Sequence, residues 1–218
     1  MTGGSSLTIK PYKGKTPNIH KNALVSPLAT IIGDVKISKD TSVFPEAVIR
    51  GDVAKITIGK CTNIQDNVVI HGGDIYTGDK LKGHIPVKIG DYVTVGHSAV
   101  IHGCEIGNIV LIGARAVVFN ESVIGRGSII GMGAVVLENT RIPKKSIAVG
   151  MPAKVIKPVD NTTYSKLKKH AVRYHKLASL IKALSFNWVY PCGPFQFARR
   201  FFYFLKRFML VSLIFSDY

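Results

Sequence analysis

The sequence predicts a mainly β fold, a single-stranded parallel β-helix of short strands with a C-terminal α-helix and a helical extension. Two observations predict it: a six-residue period of branched aliphatics, and small residues at fixed offsets from them. The aliphatics run Val25, Ile31, Ile37, Val43 and Ile49, then Ile58, Ile64 and Ile70, then Ile89, Val95 and Ile101. Ile106, Ile112, Val118, Ile124, Ile130, Val136 and Ile142 complete the series.

A helix would place apolar residues near 3.6 apart, and a simple sandwich would alternate with period two. One large inward residue every six suits short strands joined by sharp corners. Three such strands close one triangular coil, and coils stack about 4.8 Å apart through backbone ladders. Gly often follows the aliphatic, as in Ile58-Gly59, Val95-Gly96, Ile112-Gly113 and Ile124-Gly125. These glycines are expected to give the backbone freedom near the corners. Thr62, Val93, Ala99, Ala116, Ser128 and Ala134, four positions after an aliphatic, are small enough to fit inside them.

The period breaks at three places. Three residues are inserted between Ile49 and Ile58, a loop from Gly73 to Pro86 separates Ile70 from Ile89, and one residue is missing between Ile101 and Ile106. Repeat proteins carry insertions as loops on one face, often the functional one.

The 218 residues carry a net charge of +16, unevenly placed. Residues 1–22 hold four Lys and no acid, and residues 159–218 hold ten Lys or Arg against Asp160 and Asp217. Basic ends point to appendages on an anionic surface rather than to a basic cleft, with solubility as the plain alternative. No nucleic-acid partner is expected. Cys61, Cys104 and Cys192 lack CxxC spacing, which disfavours a disulfide framework and favours a reducing interior. The N-terminus shows no apolar secretory signal. It is basic and contains Ser without acids, which is compatible with mitochondrial import.

Four segments follow: an arm over 1–22, the β-helix over 23–158, an amphipathic helix within 159–190 and a basic aromatic extension over 191–218. Leu167, Ala171, Tyr174, Ala178 and Ile181 form the helix's apolar stripe, with Asn161, Thr162 and Thr163 as N-cap candidates. Pro191-Cys192-Gly193-Pro194 breaks the chain. Residues 195–215 mix aromatics and aliphatics with Arg199, Arg200, Lys206 and Arg207, which suits an interfacial helix better than a spanning one.

Counting faces groups the polar residues. Arg50, His71 and His102 each directly follow an aliphatic of one face and are expected to stack as one column. Asp66 and His97, with Gln65 beside them, form a second column on the preceding face. Two imidazoles one coil apart can bind one metal at Zn–N distances of about 2.0–2.1 Å. His97 projects from another face, so in a three-fold assembly it would reach a neighbour's pair. Three His and an open position make a catalytic zinc set. The alternative is a set of solvated surface histidines.

Arg50-Gly51-Asp52, Asn63-Ile64-Gln65-Asp66, Val69-Ile70-His71 and Gly96-His97-Ser98-Ala99-Val100-Ile101-His102-Gly103 resemble the motif string of gamma-class carbonic anhydrases over roughly residues 20–180. The resemblance implies a left-handed β-helix and a trimer with metal at each interface. The metal is Zn, with Fe or Co as other occupants, held by His71 and His102 of one chain and His97 of the next. It implies CO2 hydration, with Gln65 orienting the attacking hydroxide, Arg50 and Asp52 paired across the interface, and Asp66 shaping the pocket. Tyr174 is carried over from the family's C-terminal helix, where His170 replaces an Asn. Prototype members place Glu near the site for proton transfer; here Val53 stands at one such position. The segment after His71 offers Asp74, Asp79 and His84 instead, with His84 either a substitute or simply solvated.

The tail resembles the setting of gamma carbonic anhydrase-like subunits on the membrane arm of mitochondrial complex I. That implies the matrix side of the inner membrane and a homo- or heterotrimer with sister chains, contacting membrane-arm subunits and the membrane surface through 195–215. An unrelated peripheral membrane anchor is the alternative. A catalytically weak scaffold subunit, or an acyltransferase or thioesterase on the same repeat, are the competing functions.

Overall fold

The structure is a computed structural model that describes residues 8–185, with side chains to 180. The chain divides into two compact units, Met1–Lys182 and Ala183–Tyr218. The Ile181 side chain, Cys192, the break at 191–194 and the basic aromatic stretch lie outside the described residues. Among those described, no helix is long and apolar enough to cross a membrane.

The period-six aliphatics stack in register on three faces of a parallel β-solenoid. On the first face Ile31 pairs with Ile49, Ile49 with Ile70, Ile70 with Ile101, and Ile101 with Val118. On the second Ile37, Ile58, Ile89, Ile106, Ile124 and Ile142 follow one another. The third carries Val43, Ile64, Val95, Ile112 and Ile130. Nearly all of these side chains are buried, so the core is a set of isoleucine and valine ladders running the length of the prism. Ile9–Lys10 and Asn18–Ile19 of the N-terminal arm add two short strands along Thr30–Ile37.

The first two faces form one continuous sheet because Thr30–Ile37 and Val48–Ile58 run unbroken round the corner between them. Gly33, with φ +75°, makes that turn, and an added Cβ there would lie 2.5 Å from the Gly51 carbonyl oxygen.

The other corners correct the sequence reading. The positive-φ positions are mostly not glycines: Glu46, Asn67, Ser98, Arg115, Glu121 and Lys145 all have φ between 51° and 60°. The glycines that follow the aliphatics answer instead to close approach of the next coil. A Cβ on Gly113 would lie 2.5 Å from the Met132 backbone nitrogen, and one on Gly96 would lie 2.7 Å from that of Ala114. The small residues are fully buried as expected, and the polar ones also stitch coils together. Thr62 Oγ1 donates to the Gly90 carbonyl at 2.7 Å and Ser128 Oγ to that of Pro143 at 2.7 Å.

The helix spans Asn161–Ser185. Its cap is Asp160 rather than Asn161, Thr162 or Thr163: the Thr163 backbone N–H donates to Asp160 Oδ1 at 2.8 Å and the Thr163 hydroxyl to Oδ2 at 2.7 Å. The two carboxylate oxygens each accept one of these bonds, and Asp is among the favoured N-cap residues. Those bonds hold the Asp160 carboxyl below its ordinary pKa. Leu167 and Ala171 are buried and Tyr174 half-buried against the third face. Arg126 Nε donates to the Tyr164 hydroxyl at 2.9 Å, Thr94 Oγ1 lies 3.3 Å from His170 Nδ1, and the Tyr174 ring meets Phe44 edge-on at 6.1 Å.

Candidate metal centre at the irregular corner

All three breaks in the six-residue period fall at one corner, between the first and second faces. The inserted residues after Ile49 are part of the strand Val48–Ile58, and the shortened step after Ile101 turns at Gly103, with φ +52°. The segment after Ile70 is not a loop. Gly73–Thr77 and Lys80–Ile85 form an antiparallel hairpin, paired from Gly73↔Ile85 outward.

At this corner the expected column exists. Arg50 pairs in register with His71, and His71 with His102. Phe119 stacks on the His102 ring at 5.2 Å. The imidazoles of His71 and His102 approach with Nδ1 of the first 3.3 Å from Nε2 of the second.

The outer nitrogens of both rings are held. His71 Nε2 lies 3.1 Å from Asp52 Oδ1, and Asp52 Oδ2 lies 3.3 Å from Arg50 Nη1. His102 Nδ1 lies 2.7 Å from Asn120 Oδ1. A carboxylate accepts only, so His71 carries its proton on Nε2; the Asn120 oxygen likewise fixes the His102 proton on Nδ1. Burial, and then the Arg50 guanidinium, hold the His71 pKa below the ordinary histidine value despite Asp52. The neutral ring has no second proton.

With both rings neutral, two bare nitrogen lone pairs face each other across 3.3 Å. That arrangement is repulsive unless a cation sits between them. Tetrahedral zinc with Zn–N bonds of about 2.0–2.1 Å sets its ligand nitrogens roughly 3.3–3.4 Å apart. The donor set fits the ion.

His97 sits on the other column. Its Nδ1 is 2.5 Å from Asp66 Oδ2, which fixes that proton and leaves Nε2 bare. Its side chain is 53% exposed, against 16% for His71, so it points away from its own chain's pair. Among the described residues no three metal-ligating side chains of one chain converge. Gln65 is buried, and its Oε1 accepts from the His97 backbone N–H at 3.1 Å, leaving its NH2 as the remaining donor. Asp66 thus orients His97, and Arg50 meets Asp52 within the chain. Tyr174 packs on Phe44 and, at 4.9 Å, on His170.

Cys104, two residues after His102, is not a ligand candidate: burial pushes its thiol up to about 12. Asn120 and Phe119 were not among the residues picked from the sequence. The period itself would have found them: Phe119 directly follows Val118, one coil beyond His102 on the same face, and Asn120 comes next.

Sequence comparison decides the family. A carbonic anhydrase of Geobacillus kaustophilus is 36% identical over 176 residues, covering 81% of this chain and 92% of that protein. The chain belongs to the gamma-class carbonic anhydrase family. The mitochondrial gamma carbonic anhydrase 2 of Arabidopsis thaliana is 37% identical over 166 residues, 76% of this chain. The chain spans 59% of the length of that plant relative and 58% of a second, gamma carbonic anhydrase 1. A hexapeptide transferase family protein from Anaplasma phagocytophilum superposes with a TM-score of 0.71 at 34% identity, covering 79% of this chain and 96% of that one. No family model matches the chain. For a gamma-class carbonic anhydrase, the paired and capped imidazoles are the feature on which the chemistry must be argued.

Proposed function

We propose that the chain is a subunit of a trimeric, metal-dependent carbonic anhydrase that interconverts CO2 and bicarbonate. Zinc, or iron or cobalt in its place, would be held by His71 and His102 of one subunit and the partner subunit's His97. The observation that carries this reading is the pair of bare nitrogens 3.3 Å apart, each ring locked from behind by an acceptor. Solvated surface histidines have no reason to be capped in this way.

When bound, the ion supplies Lewis acidity and brings the ionisation of a water into the neutral range. The protein's part is positioning. Asp52 and Asn120 fix the tautomers and planes of His71 and His102, and Arg50 steadies Asp52. Asp66 does the same for the ring offered to the neighbour. Gln65 presents its NH2 as a donor to a reactant oxygen. Tyr174, packed on Phe44 and His170, takes no chemical step in this scheme.

A mitochondrial setting is supported by the plant relatives named as mitochondrial. Attachment to the membrane arm of complex I, on the matrix side of the inner membrane, is supported by the basic aromatic sequence 195–215. A second reading, a scaffold subunit, is favoured by the fact that among the described residues no three metal-ligating side chains of one chain converge: a heterotrimer with sister chains lacking the third histidine would assemble without turnover.

Stopped-flow CO2 hydration by the native assembly tests the proposal. Hydration that disappears in H102A supports it. Hydration unchanged in H102A defeats the enzyme reading, and a metal-loaded but inactive wild type selects the scaffold. Group transfer, suggested by the Anaplasma neighbour's name, needs no opposed pair of capped imidazoles.

A further inference from the structure

Resting on the trimer reading above, we infer that Arg115 pairs with the partner subunit's Glu121. This ion pair sets the register in which His97 is delivered to a neighbour's histidine pair. The surface that carries it takes a second copy of this chain.

The two residues hold equivalent places on the two corners that must meet. The Arg115 backbone N–H donates to the His97 carbonyl at 2.8 Å, so Arg115 lies one coil beyond the ring offered to the neighbour. The Glu121 backbone N–H donates to the Gly103 carbonyl at 2.7 Å, so Glu121 lies one coil beyond the turn that follows His102. Bringing His97 to a neighbour's His71–His102 gap lays one corner column along the other. One step of about 4.8 Å up both columns then sets Arg115 against the neighbour's stretch 119–121.

Charge narrows the pairing. Arg115 and Glu121 are both exposed, and among the described residues neither side chain has an ion pair or a hydrogen bond. The acids beside the metal corner are already engaged, Asp52 by Arg50 and His71, and Asp66 by His97. Lys88 and Glu105 line a cleft with Glu121 on the second face, and Glu138 stands in the next coil of the same corner.

The same two columns expose apolar side chains. Met132, 82% exposed, is one coil beyond Ala114 on the His97 corner. Leu137, 51% exposed, is one coil beyond Phe119 on the other. A free subunit thus carries an apolar strip directly above its half of the metal site, and a second copy covers it. Apolar contact alone tolerates sliding, whereas opposite charges at one level fix the register.

The test uses the full-length chain with excess zinc, reading assembly by sedimentation and bound zinc by metal analysis after dialysis. R115E and E121R are each expected to weaken trimer formation and zinc retention by about tenfold or more. The charge-reversed R115E/E121R is expected to recover most of both losses, with circular dichroism showing each variant folded. If R115E does not fold, the cycle through R115Q and E121Q decides: non-additive losses support the pair and additive losses overturn it. Single variants indistinguishable from wild type overturn the proposal. So does a double variant no better than the sum of the singles, or rescue of R115E by E138R in place of E121R. A wild-type chain that sediments as a monomer defeats the trimer reading and this one with it. A zinc-loaded wild-type trimer with uncoupled variants defeats this proposal alone.

Discussion

His71 Nδ1 and His102 Nε2 face each other across 3.3 Å, one coil apart on the same face, with their outer nitrogens bonded to Asp52 and Asn120. The relationship joins the repeat to the chemistry. The coil spacing brings the rings together, and with their outer nitrogens capped the neutral rings present both inner nitrogens as ligands.

Removing either ring should abolish metal uptake without unfolding the solenoid. H71A and H102A are expected to lower zinc affinity by well over the 10–100-fold that loss of a supporting hydrogen bond costs. Metal analysis after dialysis measures the loss, and circular dichroism should show the β signal intact. Zinc retained at wild-type stoichiometry would contradict the assignment.

Asn120 touches no reactant but fixes the His102 tautomer. N120L is expected to weaken zinc binding by about 10–100-fold, and N120D, which keeps an acceptor, by much less. Competition titration with a chelator reads both.

The glycines divide by physical cause. G113A places a methyl 2.5 Å from the Met132 backbone nitrogen and should cost about 1–3 kcal/mol by overpacking. G133A meets nothing within 4 Å but must hold φ +66°, so its cost, roughly 1–2 kcal/mol, is conformational. G133N should recover part of the loss and G113N none, since only the first tolerates a side chain sterically. Urea unfolding gives the comparison.

Acid should loosen the helix against the prism. Burial, then Arg173, lowers the His170 pKa below its ordinary value. The folded protein therefore binds that proton less readily than the unfolded chain. The stability tied to neutral His170 is present above about pH 6.5 and drains away as pH falls through the lowered value. H170Q should flatten that acid limb in pH-dependent thermal unfolding; an unchanged limb assigns it elsewhere.

Much of this was readable from spacing alone. The three-face count put Arg50, His71 and His102 in one column and Asp66 with His97 in another, because a six-residue period converts position directly into face. The bonds within those columns were not readable, since Asp52 and Asp66 act through side-chain directions that periodicity does not encode. The role of the glycines is not legible because their constraint lies in the next coil's backbone, 2.5 Å from a Cβ on Gly113 in space but far along the sequence at Met132. The hairpin after His71 carries too much Gly, Asp and Lys to show a strand period, and its register shift between Leu81 and Gly83 disrupts what alternation there is. Asp160 was passed over as the cap because three consecutive polar residues after it offered equal claims.

The most direct test is anomalous diffraction at the zinc edge from the intact native assembly. A peak within about 2.0–2.1 Å of His71 Nδ1, His102 Nε2 and the partner subunit's His97 is the result expected. An assembly in which the two facing nitrogens are bridged by no metal, or in which no neighbouring histidine reaches them, contradicts the account.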